Sequence, residues 1–223
     1  SVRYSMPAWL VCRFVGRYGA GEAEKIFAAF LEEGGGLPIR CMVSRFSEGE
    51  VQKALEQEGV TAARGRLLSY AFSIRNYPSL RELTAFQRGM FQVQDESSML
   101  VGQIAGIREG DTVIDVCAAP GGKTLHVADI LRGSGVVVSA DLTREKTDLI
   151  RENVKRLLVK NVEVYEQDAA VLREEWIRKA DVLIADLPCS GLGVIGKKCD
   201  IKYKTKPEDI KSLSAIQRQI LTV

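Results

Sequence analysis

Histidine is almost missing from this chain: His126 is the only one in 223 residues. The five cysteines, Cys12, Cys41, Cys117, Cys189 and Cys199, form no CxxC pair. Both facts argue against a zinc centre of ordinary ligand spacing and against a Cys–His or Ser–His catalytic couple. The odd number of thiols points to free cysteines, and no metal is expected. No apolar run is long enough to cross a bilayer. The opening Ser1-Val2-Arg3-Tyr4-Ser5-Met6-Pro7 lacks the charge pattern and apolar stretch of a signal peptide. A cytoplasmic monomer away from membranes is the expectation. A net charge of +2 is too small to imply a nucleic-acid ligand by itself, so local clustering matters more. The dinucleotide fingerprint G-x-G-x-x-G is absent, as are repeats and low-complexity tracts. Both termini read as fragment ends: position 1 is not methionine, and Gln219-Ile220-Leu221-Thr222-Val223 stops within an apolar helical pattern.

What is present changes character near residue 92. Before it, apolar positions at helical spacing predict helices over 7–18 and 21–33, the second stopped by Gly34-Gly35-Gly36. Leu37–Val43 reads as a strand. Ser47–Gly59 reads as a helix opened by a Ser47/Glu50 capping box and closed by Gly59, and Leu67–Ile74 as a second strand. Arg64, Arg66, Arg75, Arg81 and Arg88 stand against only Glu82 over residues 61–92, either a solvated surface or a face for phosphates. Gln94–Ile107 leads as a helix into strand–helix alternation. Strands are predicted at Thr112–Val116, Gly135–Ala140, Val162–Tyr165 and Asp181–Asp186, with helices at Lys123–Leu131 and Arg144–Leu158. Short β-branched runs alternating with helices imply a parallel sheet covered on both faces.

After Asp115 the chain turns through Cys117-Ala118-Ala119-Pro120-Gly121-Gly122-Lys123-Thr124. So many small residues let backbone approach a ligand closely, and the following helix opens with unpaired N–H groups. A plain tight turn would need fewer of them. Gly122-Lys123-Thr124 matches the end of a phosphate-binding loop, and Val182–Asp186 looks like a Walker B strand. But Cys117 holds the place of the first glycine, and Pro120 removes an N–H. A third reading is a nucleoside cofactor without a pyrophosphate. Asp141, 26 residues after Asp115, stands at the second strand tip, placed to accept both ribose hydroxyls. Asp168 follows the third strand, able to reach an adenine amino group. Three acids at successive strand tips suit S-adenosylmethionine, which is cationic at sulfur.

Asp186-Leu187-Pro188-Cys189-Ser190-Gly191 follows the fourth strand, at the end where ligands of open parallel sheets sit. From the residues alone, Cys189 is a nucleophile or a small buried thiol. Methylation at C5 of a pyrimidine needs such a thiolate: its addition at C6 makes C5 nucleophilic, and an acid near N3 favours the addition. Asp186 is placed for that role. Lys197, Lys198, Lys202, Lys204 and Lys206, with Tyr203 among them, form a solvated loop or a nucleic-acid contact.

The runs Asp115–Thr124 and Asp186–Gly193 together resemble the Nol1/Nop2/Sun family of RNA cytosine-C5 methyltransferases. Ser5-Met6-Pro7-Ala8-Trp9-Leu10 and Phe91-Gln92-Val93-Gln94-Asp95-Glu96-Ser97-Ser98 look closest to its bacterial RsmB (Sun) branch, which acts on small-subunit (16S) ribosomal RNA. The similarity runs from near Ser5 to the last residue. It implies an α/β fold: a Rossmann-like S-adenosylmethionine-dependent methyltransferase domain over 92–223, its C-terminal strands missing. Over 1–91 it implies a helical lead-in and a small α+β RRM-like RNA-binding module. Cys117, Ala118, Ala119, Pro120, Gly121, Gly122 and Lys123 are then expected to contact the cofactor, Asp141 its ribose and Asp168 its adenine. Asp186 would lie between cofactor and target cytosine. Arg64, Arg66, Lys197, Lys198, Lys202 and Tyr203 are the expected RNA contacts. In the family the attacking thiol lies in a later Thr-Cys motif. That makes Cys189 an auxiliary thiol that helps release product, and leaves this chain inactive alone. Leu187 stands where the family has Ala in Asp-Ala-Pro-Cys, and Gly196–Tyr203 replaces an Arg-rich stretch before Asp-Ile-Lys-Trp. The alternatives are a P-loop NTPase and a non-catalytic RNA-binding protein with a degenerate pocket.

Overall fold

The structure, a computed structural model, describes residues 2–32 and 35–223. The chain divides into two compact units, Ser1–Gly35 with Leu187–Thr222, and Gly36–Asp186 with Val223.

The first unit is helical. Helix α1 (Ala8–Ala29) is broken at Gly19, whose φ of 78° and ψ of 164° no helix accommodates. The two helices expected over 7–18 and 21–33 are thus one element with a break. It ends at Ala29, short of the glycine run. The expected stop at Gly34 lies outside the described residues. Helices α7 (Ile201–Lys204) and α8 (Pro207–Leu221) belong to the same unit. Proline at the first position of α8 lacks only an N–H that would have no helical partner. Met6, Leu10, Ala23, Phe27 and Ile195 form the core, with Trp9, Phe14 and Leu192 packed on it.

The second unit holds two sheets. The first is antiparallel and built from β1 (Leu37–Cys41), α2 (Glu48–Gln57), β2 (Thr61–Arg64), β3 (Ala71–Arg75), α3 (Thr84–Gln87) and β4 (Phe91–Val93), in the order β2-β3-β1-β4. The expected capping box opens α2: Ser47 Oγ accepts from the Glu50 N–H at 3.3 Å, and Glu50 Oε2 from the Ser47 N–H at 2.8 Å. Two strands escaped the sequence pattern. β2 is a short edge with Ala62-Ala63 at its centre, and β4 has three residues; pairing with β3 and β1 makes them strands, not propensity. Leu67–Tyr70, expected in a strand, is loop. Ile39, Cys41, Phe72, Ile74 and Phe91 pack with Val51 and Leu55 of α2 and Ala85 of α3.

The second sheet follows the expected alternation: α4 (Glu96–Ile104), β5 (Thr112–Asp115), α5 (Gly122–Leu131), β6 (Val136–Asp141), α6 (Arg144–Leu157), β7 (Val162–Glu166) and β8 (Val182–Ile184). Its strands are parallel, in the order β7-β6-β5-β8. Val127, Ala128 and Leu131 of α5 pack on Val113, Val137 and Ile184.

Helix α5 serves both sheets and is buried from Thr124 through Asp129. On its far side Leu125 packs with Met42 and Leu157. There the fully buried Arg40 of β1 pairs with Asp129 at 3.0 Å. Asp129 also accepts the N–H groups of Val43 at 3.0 Å and Ser44 at 2.9 Å. Truncating it would strand a buried guanidinium and two amides. Asp129→Ala is therefore expected to cost about 3–5 kcal/mol in urea unfolding. Glu22→Ala, which breaks the exposed 2.7 Å pair with Lys25, should cost under about 1 kcal/mol.

Candidate active site

From β5 the order runs through β6 to β7 on one side, whereas β8 lies on the other. Ligands of open parallel sheets bind beyond the carboxyl ends of the strands at such a reversal. Asp115 ends β5, Asp141 ends β6, Asp168 follows β7 and Asp186 follows β8. The sheet thus carries all four expected acids to one end.

The turn between β5 and α5 is held by its own backbone. The Ala118 N–H donates to the Ala140 carbonyl at 3.0 Å and the Gly121 N–H to the Ala118 carbonyl at 2.7 Å. The Ala119 N–H donates to Asp141 Oδ2 at 2.9 Å. Gly121 has a φ of 99°, in the left-handed region, and a Cβ there would touch Ile150 and Leu125 at 3.4 Å. With three amides committed to protein acceptors and Pro120 lacking one, the turn is no phosphate cradle. The NTPase alternative finds no support in it.

Asp115 is buried. Its Oδ2 accepts from the Thr124 hydroxyl at 2.8 Å, and that hydroxyl lies 2.9 Å from Ser139 Oγ. Among the described residues no hydrogen bond reaches its Oδ1, although the Cys117 backbone N–H also favours the ionised carboxyl. Burial pushes its carboxyl up to about 6, against the pull of the Thr124 hydrogen bond and the Lys123 charge. Asp141 is saturated differently: Oδ1 accepts the Leu142 N–H at 2.8 Å and meets Lys146 Nζ at 3.0 Å. Lys123 Nζ lies 2.5 Å from Oδ2 of the exposed Asp186. Asp168 is exposed, its Oδ1 capping the Ala170 N–H at 2.9 Å. Cys117 is half-buried; burial first, then the charges of Asp141 and Asp115, push its thiol up to about 11. It stays protonated at neutral pH and is no thiolate nucleophile.

Sequence reasoning missed Thr124 and Ser139 as partners of Asp115, Lys146 as partner of Asp141, and Lys123 as partner of Asp186. Only Lys123 and Thr124, inside the Gly-Gly-Lys-Thr run, carried any signal. Cys189, Lys197, Lys198 and Tyr203 are exposed residues of the first unit, where Lys202 is buried. The Tyr203 hydroxyl donates to the Ser5 carbonyl at 3.0 Å. Arg64 and Arg66 are exposed at the end of β2 and just beyond it.

An acid-lined end with a buried carboxylate and a turn of small residues fits a nucleoside that carries positive charge. The fold is the α/β fold of S-adenosylmethionine-dependent methyltransferases. It matches the crystal structure of a methyltransferase homologue from Pyrococcus horikoshii with a TM-score of 0.82 and 26% identity, over 99% of this chain and 69% of that one. Residues 103–223 match the family model described as 16S rRNA methyltransferase RsmB/F. The probable ribosomal RNA small subunit methyltransferase B of Bacillus subtilis (strain 168) is 35% identical over 97% of this chain and 48% of its own length. A tRNA (cytosine(72)-C(5))-methyltransferase of Pyrococcus horikoshii is 39% identical over 62% of this chain and 35% of its own length. The chain belongs to the RsmB/F family of RNA methyltransferases. It spans about half the length of the curated relatives it matches.

The raised carboxyl of Asp115 has a stability consequence. Its folded value of about 6 lies above the 3.8 of the free side chain, so between these values the folded state holds the extra proton. Its unfavourable contribution therefore grows as pH rises from about 4 to about 6, reaching about 3 kcal/mol. Asp115→Asn removes this titration. Its unfolding free energy relative to the parent should rise by about 2 kcal/mol between pH 4 and pH 7, measured by urea titration at both.

Proposed function

We propose that this chain is the cofactor-binding and RNA-facing part of a cytoplasmic S-adenosylmethionine-dependent RNA cytosine-C5 methyltransferase acting on small-subunit ribosomal RNA. The observation that carries this is the Asp115–Thr124 turn and Asp186 at the reversal point of the parallel sheet, in a chain of the RsmB/F family. S-adenosylmethionine, when bound, supplies a methyl group on a cationic sulfur. The carboxylates of Asp115, Asp141 and Asp186 favour that positive charge. Asp141 takes the ribose hydroxyls, with Lys146 as the partner they displace, and Asp168 takes the adenine amino group. The small side chains of Cys117–Gly122 let backbone close against the ligand. Lys123 fixes one oxygen of Asp186 and leaves the other for the edge of the target cytosine.

Cys189, three residues after Asp186, is proposed as the auxiliary thiol of product release. The resemblance assigns attack on C6 to a Thr-Cys pair, and no such pair occurs in residues 1–223. The region up to about residue 91 is proposed as an RRM-like RNA-binding module, supported by the β1-α2-β2-β3-α3-β4 sequence and the order β2-β3-β1-β4. Strand β8 is proposed as an inner strand of the whole protein's sheet, in keeping with Leu183, which is 62% exposed.

Calorimetry tests the cofactor assignment. The chain should bind S-adenosylhomocysteine and not ATP, and Asp141→Asn should weaken binding by about 1.5–3 kcal/mol, the range for hydrogen bonds to a charged group. An unchanged Kd would remove Asp141 from the ribose. Labelled cofactor and 16S ribosomal RNA test the thiol. The 223-residue chain should transfer no methyl group, and transfer would make Cys189 the nucleophile.

A further inference from the structure

The face of the antiparallel sheet opposite α2 and α3 is closed. Arg40 and Gln92 are cross-strand partners on that face, and both are buried. Arg40 reaches Asp129 of α5, and Gln92 Oε1 accepts from Arg156 Nη2 of α6. RNA-binding modules built on a four-stranded sheet stack bases on that face, and here helices occupy it. Of the sheet, the β2 edge and the loop to β3 stay exposed, with Ala63, Arg64, Arg66 and Leu67, the last 66% exposed, while Arg75, Arg81 and Arg88 are exposed elsewhere on the module.

That loop is built, not slack. Glu96, the first residue of α4, accepts three consecutive backbone N–H groups: Arg66 at 3.1 Å, Leu67 at 2.7 Å and Leu68 at 2.8 Å. Such converging amides form an anion nest, and here the anion is internal. Gly65 permits the approach, since a Cβ on it would lie 2.6 Å from Glu96 Oε1 and 2.7 Å from Ala71 Cβ. Two other acids of the module are likewise turned onto backbone, while Glu48 accepts from the Ser69 hydroxyl of the same loop at 2.9 Å. Glu58 accepts from Thr84 and Ala85 at 2.7 and 3.0 Å, and Glu50 from Ser47 at 2.8 Å. Arg64, lying over the Phe72 ring at 5.5 Å, and Arg66 face solvent. The edge therefore presents cations beside carboxylates already satisfied.

We propose that the β2 edge and its Glu96-clamped loop form the surface by which this module grips RNA phosphates, with Glu96 as the positioning residue. Glu96 ties the loop to α4, which packs on α5, the helix that follows the cofactor turn. The proposal rests on the RNA reading above and goes beyond it in naming the surface and what holds it.

The test is anisotropy of the 223-residue chain with a labelled single-stranded RNA over a salt series, beside amide exchange and cofactor calorimetry. Arg64→Ala with Arg66→Ala should weaken binding about tenfold and flatten the slope of log K against log salt by about 1.4, the loss of two phosphate contacts. Glu96→Ala and Gly65→Ala remove no arginine. Each should speed exchange at Arg66–Leu68 and weaken RNA about tenfold, the cost of ordering one or two backbone residues, with the salt slope and cofactor Kd kept. If either variant fails to fold, Glu96→Gln, which retains one carbonyl oxygen, should give a smaller change of the same kind. Parental RNA affinity in Glu96→Ala despite faster exchange would overturn the positioning role. Parental binding by the double arginine variant, with loss on charge reversal at Lys197 and Lys198, would overturn this surface and spare the RNA reading. No RNA binding by the parent at low salt would overturn both.

Discussion

One buried carboxylate sets the geometry of the larger unit. Asp129 sits on a helix packed against the parallel sheet, yet its three partners, Arg40, Val43 and Ser44, belong to the antiparallel sheet and the turn after β1. A buried charge is tolerated only when paired and hydrogen-bonded. A slip of one sheet against the other would strand a guanidinium and two amides together. The neighbouring seam is equally exacting. His126 is held neutral, its pKa brought down to about 3 by burial and then by the Arg40 charge. Its ring lies 5.5 Å from that of Tyr70, and any side chain at Gly102 would come within 2.8 Å of its Nδ1.

The site inherits this rigidity. Helix α5 is anchored by Asp129 in its second half, and its first residues are the end of the glycine turn. Fixing the helix fixes Gly121 and the amides around it. Asp141 receives the Ala119 N–H, so the turn and the tip of β6 hold each other. Asp115 lies beneath, joined to α5 and β6 through the hydroxyls of Thr124 and Ser139. Asp115 and Asp141 are therefore held in place by the protein's own groups.

The same packing redirects the antiparallel module. A sheet of this order has two faces, one covered by its own helices. The other carries Arg40 and Gln92, and a buried arginine on an open face would be untenable. The neighbouring layer covers it, so of this sheet only the edges and loops stay open.

The sequence by itself determined what is written within a few residues. The Ser47/Glu50 capping box, the β-branched runs of the parallel sheet and the small-residue turn after Asp115 were legible because backbone dihedrals and caps are local properties. So was the presence of acids at successive strand tips, since the tips follow from the strands. Strands β2 and β4 were not legible, because Ala62-Ala63 and a three-residue run gain strand character only from their neighbours. Nor were the partners of the charges. Arg40 and Asp129 are 89 residues apart, and Lys123 and Asp186 are 63 apart. Nothing near either member marks the other. Those pairings were decided by the tertiary structure alone, because the partner of a buried charge is set by which layers stack and in what register.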